Sequence, residues 1–412
     1  MQSLLILGRQ PSLGLAELES LYGSSALTTV GNQAVIVDVD PCLLAFDRLG
    51  GSIKFCKILT TLDTTNWGQI EKFLLKASPA QSAAMPEGKM LLGLSLYGFS
   101  EGIRRIEATG LSLKKAIRKT GRPVRLIPNK ETELNSAQVI HNKLTSPNGW
   151  ELVFVKDGDK TVVAQTVKVQ DIEAYTRRDR ERPKRDAKVG MLPPKLAQIL
   201  INLAAGVLPT DTLESICDIP AGQPIPRKLL GQAVLDPFCG TGVVLQEASL
   251  MGYSAYGSDL ESRMTDYSRI NLDWLSDLYG LEANDYRLEA GDATTHQWTA
   301  PIDIVAGELY LGRPFTSTPT AEVLAQTVAD CNLIIKKFLR NIHDQLAADT
   351  RLCLAVPAWQ TKPNQFKHLP LIDQIEDLGY NRVRFEHIRD DQLIYYREDQ
   401  IVARELIVIT RK

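Results

Sequence analysis

Apolar positions along this chain follow two alternating spacings. "SLLILG" and "QAVIVDV" are short and nearly continuous in apolar residues, as strands packed into a sheet are. Between them, Leu13, Leu15, Leu18 and Leu21 recur near helical spacing behind Ser12, which predicts a helix capped by that serine. "PCLLAFDRLGG" reads as a second helix, opened by proline and closed by glycine, and "FCKILTTL" as a further strand. Residues 1–65 are therefore expected to form a small α+β module. From 66 to 172 the alternation resumes with the helix "WGQIEKFLLKA", the strand "KMLLGLSLYG", the helix "LSLKKAIRKTG" behind Ser112 and the helix "NSAQVIHNKL" behind Asn135. Two strands joined by a "DGD" turn end this stretch, the signature of a hairpin.

Residues 173–230 read as a connector, with a helix started by Pro193 and Pro194 and then a proline-rich loop. From 231 to 412 strands and helices alternate regularly, which predicts a mostly parallel, doubly wound sheet with an antiparallel pair added at the end. "LPLIDQIEDLG" is expected as one of its helices. The fold class is thus α/β, preceded by α+β modules.

Composition narrows the class. With 412 residues, 44% hydrophobic and 23% charged, the chain can bury more than one core. No apolar run approaches the length of a membrane span, and the N-terminus lacks the basic start of a signal peptide. The six cysteines form no C-x-x-C pair and the five histidines no H-E-x-x-H, so neither a disulfide framework nor a metal centre is expected, and a reducing cytoplasm is the natural setting. The net charge of −2 hides two basic clusters. One lies on the helix bearing Lys114, Lys115, Arg118 and Lys119. The other runs through "TRRDRERPKRDAK", with Arg177, Arg178, Arg182, Lys184, Arg185 and Lys188. Solvated helix faces account for many such runs, but two in one neutral chain point to a bound polyanion.

The strongest chemical signal is "VLDPFCGTGVVLQEA". An apolar strand ends at Asp236, Gly240 and Gly242 follow, and a helix begins. The pattern is neither the dinucleotide G-x-G-x-x-G nor a P-loop, and an acid at the strand end would repel phosphate. It suits an ammonium group, such as the amino-acid part of S-adenosylmethionine (SAM). Asp259 ends the next strand, where a carboxylate can accept ribose hydroxyls, and Asp292 ends the one after. A single strand-end aspartate is commonly only a cap. Acids at three consecutive strand ends, with a glycine turn at the first, are unlike chance caps.

"DPFCGTG" resembles the SAM-binding motif of class I methyltransferases that modify base amino groups. The order of elements, with "RDRERPKRDAKVGMLPPKLAQILINLA" ahead of it and "ELNSAQVIHNKL" further upstream, is similar to the THUMP-domain tRNA guanosine-10 N2-methyltransferase family. That resemblance implies a ferredoxin-like module (1–65), a THUMP domain holding tRNA (66–172), a basic linker and helix (173–230) and a Rossmann-like SAM domain (231–412). It implies that Asp236, Pro237, Gly240, Thr241 and Gly242 hold the methionine part, Asp259 and Leu260 the ribose side, and Asp292 with Ala293 the adenine. Pro194 would help close the pocket.

In that family the fourth strand ends in Asp/Asn-Pro-Pro-aromatic, where an acceptor side chain and a backbone carbonyl bind the target amine and a ring stacks on the base. Here the corresponding stretch is Glu308-Leu309-Tyr310-Leu311. Glu308 keeps an acceptor on a longer arm. Leu309 lacks the fixed φ of proline. Tyr310 brings its ring one place early. The expectation is a SAM-dependent tRNA guanine N2-methyltransferase with a variant pocket, Glu308 and Tyr310 being its catalytic residues. The alternatives are a tRNA-binding protein whose methyltransferase domain is degenerate, and a DNA amino-methyltransferase, which the front end disfavours.

Overall fold

The computed structural model describes residues 2–186, 192–282, 285–315, 317–362 and 364–412. Lys188 of the second basic cluster lies outside them. The chain divides into two compact units, the first comprising Met1–Pro11, Ser25–Phe46 and Ser52–Ile172, the second Ser12–Ser24, Asp47–Gly51 and Glu173–Lys412.

The first unit is built on one eight-stranded sheet. Its strands are β1 (Ser3–Leu7), β2 (Leu27–Val30), β3 (Ala34–Val37), β4 (Ser52–Leu62), β5 (Met90–Tyr97), β6 (Val124–Leu126), β7 (Gly149–Asp157) and β8 (Lys160–Val169), ordered β2-β3-β1-β4-β8-β7-β5-β6. β4 and β8 are joined by a long antiparallel ladder, so the stretches before and after residue 65 share a single sheet. The helix α1 (Pro11–Tyr22) follows β1 in the chain but falls almost wholly in the second unit. Three further helices are α2 (Trp67–Ala83), α3 (Ile103–Arg118) and α4 (Ser136–His141). α4 starts at Asn135 with a reciprocal capping box, Asn135 accepting from Gln138 N and Gln138 accepting from Asn135 N.

Several expected boundaries move. α1 begins at Pro11, one residue before the serine expected to cap it. Ser112 is not a cap: it lies inside α3, donating to the Ala108 carbonyl at 3.0 Å. Gly110, which looks like a break in the sequence, is instead a point of close approach, since a Cβ there would come within 2.7 Å of Leu126. The helix expected over 41–51 is two short 3-10 turns, Pro41–Leu43 and Phe46–Arg48.

In the second unit α5 (Ile172–Arg180), α6 (Pro194–Ala205) and α7 (Thr210–Cys217) precede a nine-stranded sheet. The strands and helices then alternate as β9 (Ala233–Asp236), α8 (Val243–Leu250), β10 (Ser254–Asp259), α9 (Ser262–Tyr279), β11 (Tyr286–Ala290), β12 (Ile304–Glu308), α10 (Ala321–His343) and β13 (Arg351–Lys362). β14 (Gln365–Lys367), β15 (Tyr380–Arg382), β16 (Ile394–Tyr395) and β17 (Val402–Arg411) complete the sheet. The main order is β11-β10-β9-β12-β13-β17-β15, with β14 on β13 and β16 on β17. β9 to β13 run parallel, and β17 inserts antiparallel beside β13. The stretch 370–379, expected as a helix, forms 3-10 turns instead.

The chain winds outward from β9 to β11, then returns to place β12 on the other side of β9. That reversal opens a crevice at the carboxyl ends of β9 and β12, where ligands bind in such sheets. The core beneath it joins Leu235, Val305, Leu352 and Leu354 of the sheet to Ile335, Phe338 and Leu339 of α10.

Candidate active site

Acids gather at the crevice because β9, β10 and β12 each end on one. Asp236 closes β9 and is buried. Burial pushes its carboxyl well above the usual carboxylate range, a donated bond from Phe238 N opposes this, and the neighbouring Asp259 and Glu308 charges push it further up. Asp259 closes β10 and accepts from Gly240 N at 2.9 Å and Glu261 N at 3.0 Å. Its carboxylate therefore ties the end of β10 to the glycine turn that follows β9. Burial raises its pKa as well. Asp292 follows β11 and is exposed, its Oδ1 accepting from the Thr294 amide and hydroxyl. Ala293 beside it is buried.

The turn itself depends on glycine. Gly242 precedes α8 with φ 81°, a left-handed conformation, and a Cβ there would press to 2.8 Å from Ser268 Oγ. That serine donates to the Gly240 carbonyl at 2.9 Å. Pro237 is buried beside the turn and Thr241 is partly exposed. Gly307, one residue before Glu308, is needed for another reason: a Cβ would lie 2.5 Å from Asp236 Oδ1. Its bare backbone lets the β9 carboxylate rest against the end of β12.

Glu308 ends β12 next to Asp236 and forms an ion pair with Arg404 of β17, both side chains largely buried. Leu309 is buried and donates its amide to the Ala355 carbonyl at 2.9 Å, while the Tyr310 ring stands 41% exposed. Leu260, after Asp259, is 71% exposed, an apolar side chain left in solvent beside an acid. Pro194 is the first residue of α6, which packs against α8, β12 and β13.

Two residues on the buried face of α9 hold this constellation and carry no motif. Besides Ser268, Asn271 is fully buried, donating to the Thr241 carbonyl at 2.8 Å and the Lys184 carbonyl at 2.9 Å and accepting from Lys184 N at 2.9 Å. It fastens the 181–186 segment to the glycine turn. Both residues interrupt the apolar series Met264, Leu272, Leu275, and polar residues on a buried face are the trace they leave in the sequence. Asn341 of α10 does similar work for the third strand end, donating to the Ala293 and His296 carbonyls.

The basic clusters separate into two kinds. On α3, Lys115, Arg118 and Lys119 are exposed and Lys114 is partly so. In the second cluster Arg177 and Arg185 are exposed, and Lys184 lies 5.3 Å over the Tyr267 ring. Arg178 and Arg182, expected to face RNA, are buried. Arg178 binds both Glu247 oxygens, at 2.7 and 3.2 Å, and so fixes α5 to α8. Arg182 is 3% exposed, and none of its guanidinium nitrogens has a hydrogen-bond partner among the described residues. Spacing alone could not separate these two from their solvated neighbours. No cluster of His, Cys, Asp or Glu among the described residues could hold a metal ion, and no described helix is long and apolar enough to cross a membrane.

Comparison with known proteins gives no matching family model. The chain is 28% identical over 169 residues to the tRNA (guanine(10)-N2)-dimethyltransferase of Methanothermobacter thermautotrophicus, which covers 41% of this chain and 39% of that protein. It is 27% identical over 170 residues to the protein of the same name from Pyrococcus abyssi, covering 40% and 39% respectively. With the Methanocaldococcus jannaschii protein, again of that name, identity is 32% over 111 residues, covering 27% of this chain and 25% of the relative. The chain thus spans about two fifths or less of the length of the curated relatives it matches. The resemblance to tRNA guanosine-10 N2-methyltransferases drawn from the sequence is borne out by relatives of that name. Among solved structures, TrmN from Thermus thermophilus aligns over 100% of both chains with a TM-score of 0.53 at 15% identity. A possible methylase from Clostridium difficile 630 aligns over 98% of this chain and 97% of its own, with a TM-score of 0.52 at 11% identity. These two similarities establish a shared fold.

Proposed function

We propose that this protein transfers a methyl group from S-adenosyl-L-methionine to the exocyclic N2 of a guanosine in tRNA, at position 10. The carrying observation is the convergence of Asp236, Asp259 and Glu308 on one crevice, around the Gly240–Gly242 turn, at the reversal of a parallel sheet. The names of the relatives are consistent with it.

The residues present suit the donor. Asp236 offers a carboxylate to its ammonium group, Asp259 an acceptor for the ribose, exposed Leu260 an apolar face, and Asp292 with Ala293 a border for the adenine. Pro194 and α6 help close that pocket. The orphaned, buried guanidinium of Arg182, two residues from the Lys184 backbone that Asn271 ties to the turn, suits the carboxylate of the methionine part. Bound there, the donor supplies an electrophilic methyl on a sulfonium.

Glu308 acts on the acceptor. A guanine N2 lone pair is delocalised into the ring. By accepting an N2–H bond, the carboxylate draws electron density back to the nitrogen and aims its lone pair at the methyl carbon. Bound, SAM would supply its methyl carbon to N2 and keep the C–S electron pair on its own sulfur. N2 would then shed one proton, with Glu308 as its acceptor. Tyr310 stacks on or borders the base. We read residues 1–65 as a ferredoxin-like module and 66–172 as a THUMP domain holding the tRNA, with the α3 basic face, Arg177, Lys184 and Arg185 touching phosphates. On this view 173–230 is linker and 231–412 the methyltransferase domain, working in the cytoplasm.

Mass spectrometry of nucleosides from unmodified tRNA incubated with the protein and isotopically labelled SAM tests this. Labelled N2-methylguanosine is the expected product, lost with Glu308→Ala. The engagement of Glu308 by Arg404 favours one other reading, a tRNA-binding protein whose transfer site is shut. Calorimetric SAM and tRNA binding without any labelled nucleoside would decide for it. Competition by duplex DNA as well as by tRNA would instead indicate a DNA amino-methyltransferase.

A further inference from the structure

We propose that Arg404 is a specificity-determining residue that, paired with Glu308, reads the Watson–Crick edge of the target base as guanine. The inference rests on the guanine N2-methyltransferase reading of the site.

The sheet's register creates the pair. Glu308 lies opposite Ala355 on β13, and Arg404 lies opposite Pro357 on the far side of the same strand. Ala355 and Pro357 are two residues apart, so all four side chains belong to one face of the sheet. The short side chains of Ala355 and Pro357 leave room above β13, and Glu308 and Arg404 reach across it. Arg404 Nε donates to Glu308 Oε1, and the guanidinium carbon sits 6.0 Å from the centre of the Tyr395 ring. Arg404 is 7% exposed, beside the equally buried Glu405 on β17, a costly place for a cation that its pairing with Glu308 offsets.

One carboxylate oxygen is thus committed to Nε, and the other, Oε2, which no described residue bonds, is left for a ligand. The pair presents an acceptor beside a charged donor. Guanine presents the complement, N2–H and N1–H donors beside the O6 acceptor. Adenine reverses the middle of that pattern, since its N1 is an acceptor that would face a carboxylate. Arginine is well suited to guanine O6, and mismatched polar groups left unpaired in a closed pocket give strong rejection. Arg404 therefore has two effects. It fixes the rotamer of a carboxylate that is one methylene longer than an aspartate, and it penalises bases without O6.

The test uses the full chain and two tRNA transcripts, one with guanosine and one with 2-aminopurine at position 10. 2-Aminopurine keeps the amine but lacks O6 and N1–H. Wild-type protein is expected to methylate the guanosine transcript strongly in preference. In Arg404→Met that preference should shrink by about tenfold or more, mainly through loss of the guanosine reaction. Arg404→Lys should restore part of it, and calorimetric SAM affinity should be unchanged in both. An equal loss on both transcripts, or a loss of SAM affinity, would make Arg404 merely structural and overturn the inference. If wild-type protein binds SAM but methylates neither transcript, the functional reading itself has failed.

Discussion

Asp236 has a chemistry that neither its neighbours' names nor its spacing express. Its buried carboxyl is held well above the usual carboxylate range, so in the free protein it tends to keep a proton. An ammonium group arriving beside it favours the ionised form, so binding should release that proton. Calorimetry of SAM binding in buffers of different ionisation enthalpy is expected to show net proton release at any pH where the free protein still holds that proton. Asp236→Asn should abolish the release and weaken binding by roughly tenfold or more, the scale of one charge-assisted hydrogen bond. Asp236, the glycine turn and the strand-end position of Glu308 were legible in the sequence because each is a local pattern. Arg404 was not, because its meeting with Glu308 depends on register across a third strand. Arg178 and Arg182 mislead for the same reason: burial is a tertiary property, and a run of cations looks alike whether its members are solvated or packed.

Elements carry the next level of control. The buried face of α9 grips the glycine turn through Ser268 and Asn271, and Asn271 also holds both polar groups of the Lys184 peptide. Asn271→Ala would take the partner from three part-buried backbone groups, at a cost of about 2–4 kcal/mol. Chemical denaturation of the full chain should show that drop in stability, and hydrogen exchange at the Lys184 amide should accelerate. On α3 the prediction concerns salt. Reversing Lys115, Arg118 and Lys119 to glutamate should weaken tRNA binding. The slope of log affinity against log salt should fall by about 1 for each phosphate no longer neutralised. SAM affinity, measured separately, should stay as in the wild type. Helices whose apolar series was long, such as α9 and α10, were readable from periodicity. The 41–51 and 370–379 segments were not, since their apolar residues fit short 3-10 turns as well as a helix.

At the scale of the whole molecule, α1 joins the second unit through an unusual acid. Glu17 is fully buried and accepts from Gly50 N at 2.9 Å, Gly51 N at 2.8 Å and Asn202 Nδ2 at 2.7 Å. Burial pushes its carboxyl up to about 7, more than these bonds pull it down. The folded protein therefore binds this proton more tightly than the unfolded chain does. The resulting stability is complete below about pH 4.5, the value of an ordinary glutamate, and is lost as pH rises through about 7. The difference corresponds to roughly 3 kcal/mol. Thermal unfolding followed between pH 5 and pH 8 should show a decline in stability from this group, and Glu17→Gln should flatten it. The α/β alternation of 231–412 was plain in the chain, whereas nothing local indicated that a helix near the N-terminus belongs with it. The three-dimensional partners of Glu17, Glu19 and Ser20 reveal that.

That same helix sets a timetable for biosynthesis. Every residue from Leu13 to Leu21 of α1 is hidden in the finished protein, yet Asn202, which bonds to Glu17, lies 185 residues further along. At about 5–20 residues per second, this leucine-rich helix waits on the order of ten to forty seconds after leaving the ribosome before its seat exists. During that interval the nascent chain carries a sticky segment in need of shielding, as by a chaperone. The coding sequence of this protein therefore cannot be cut into separately made halves without stranding that segment.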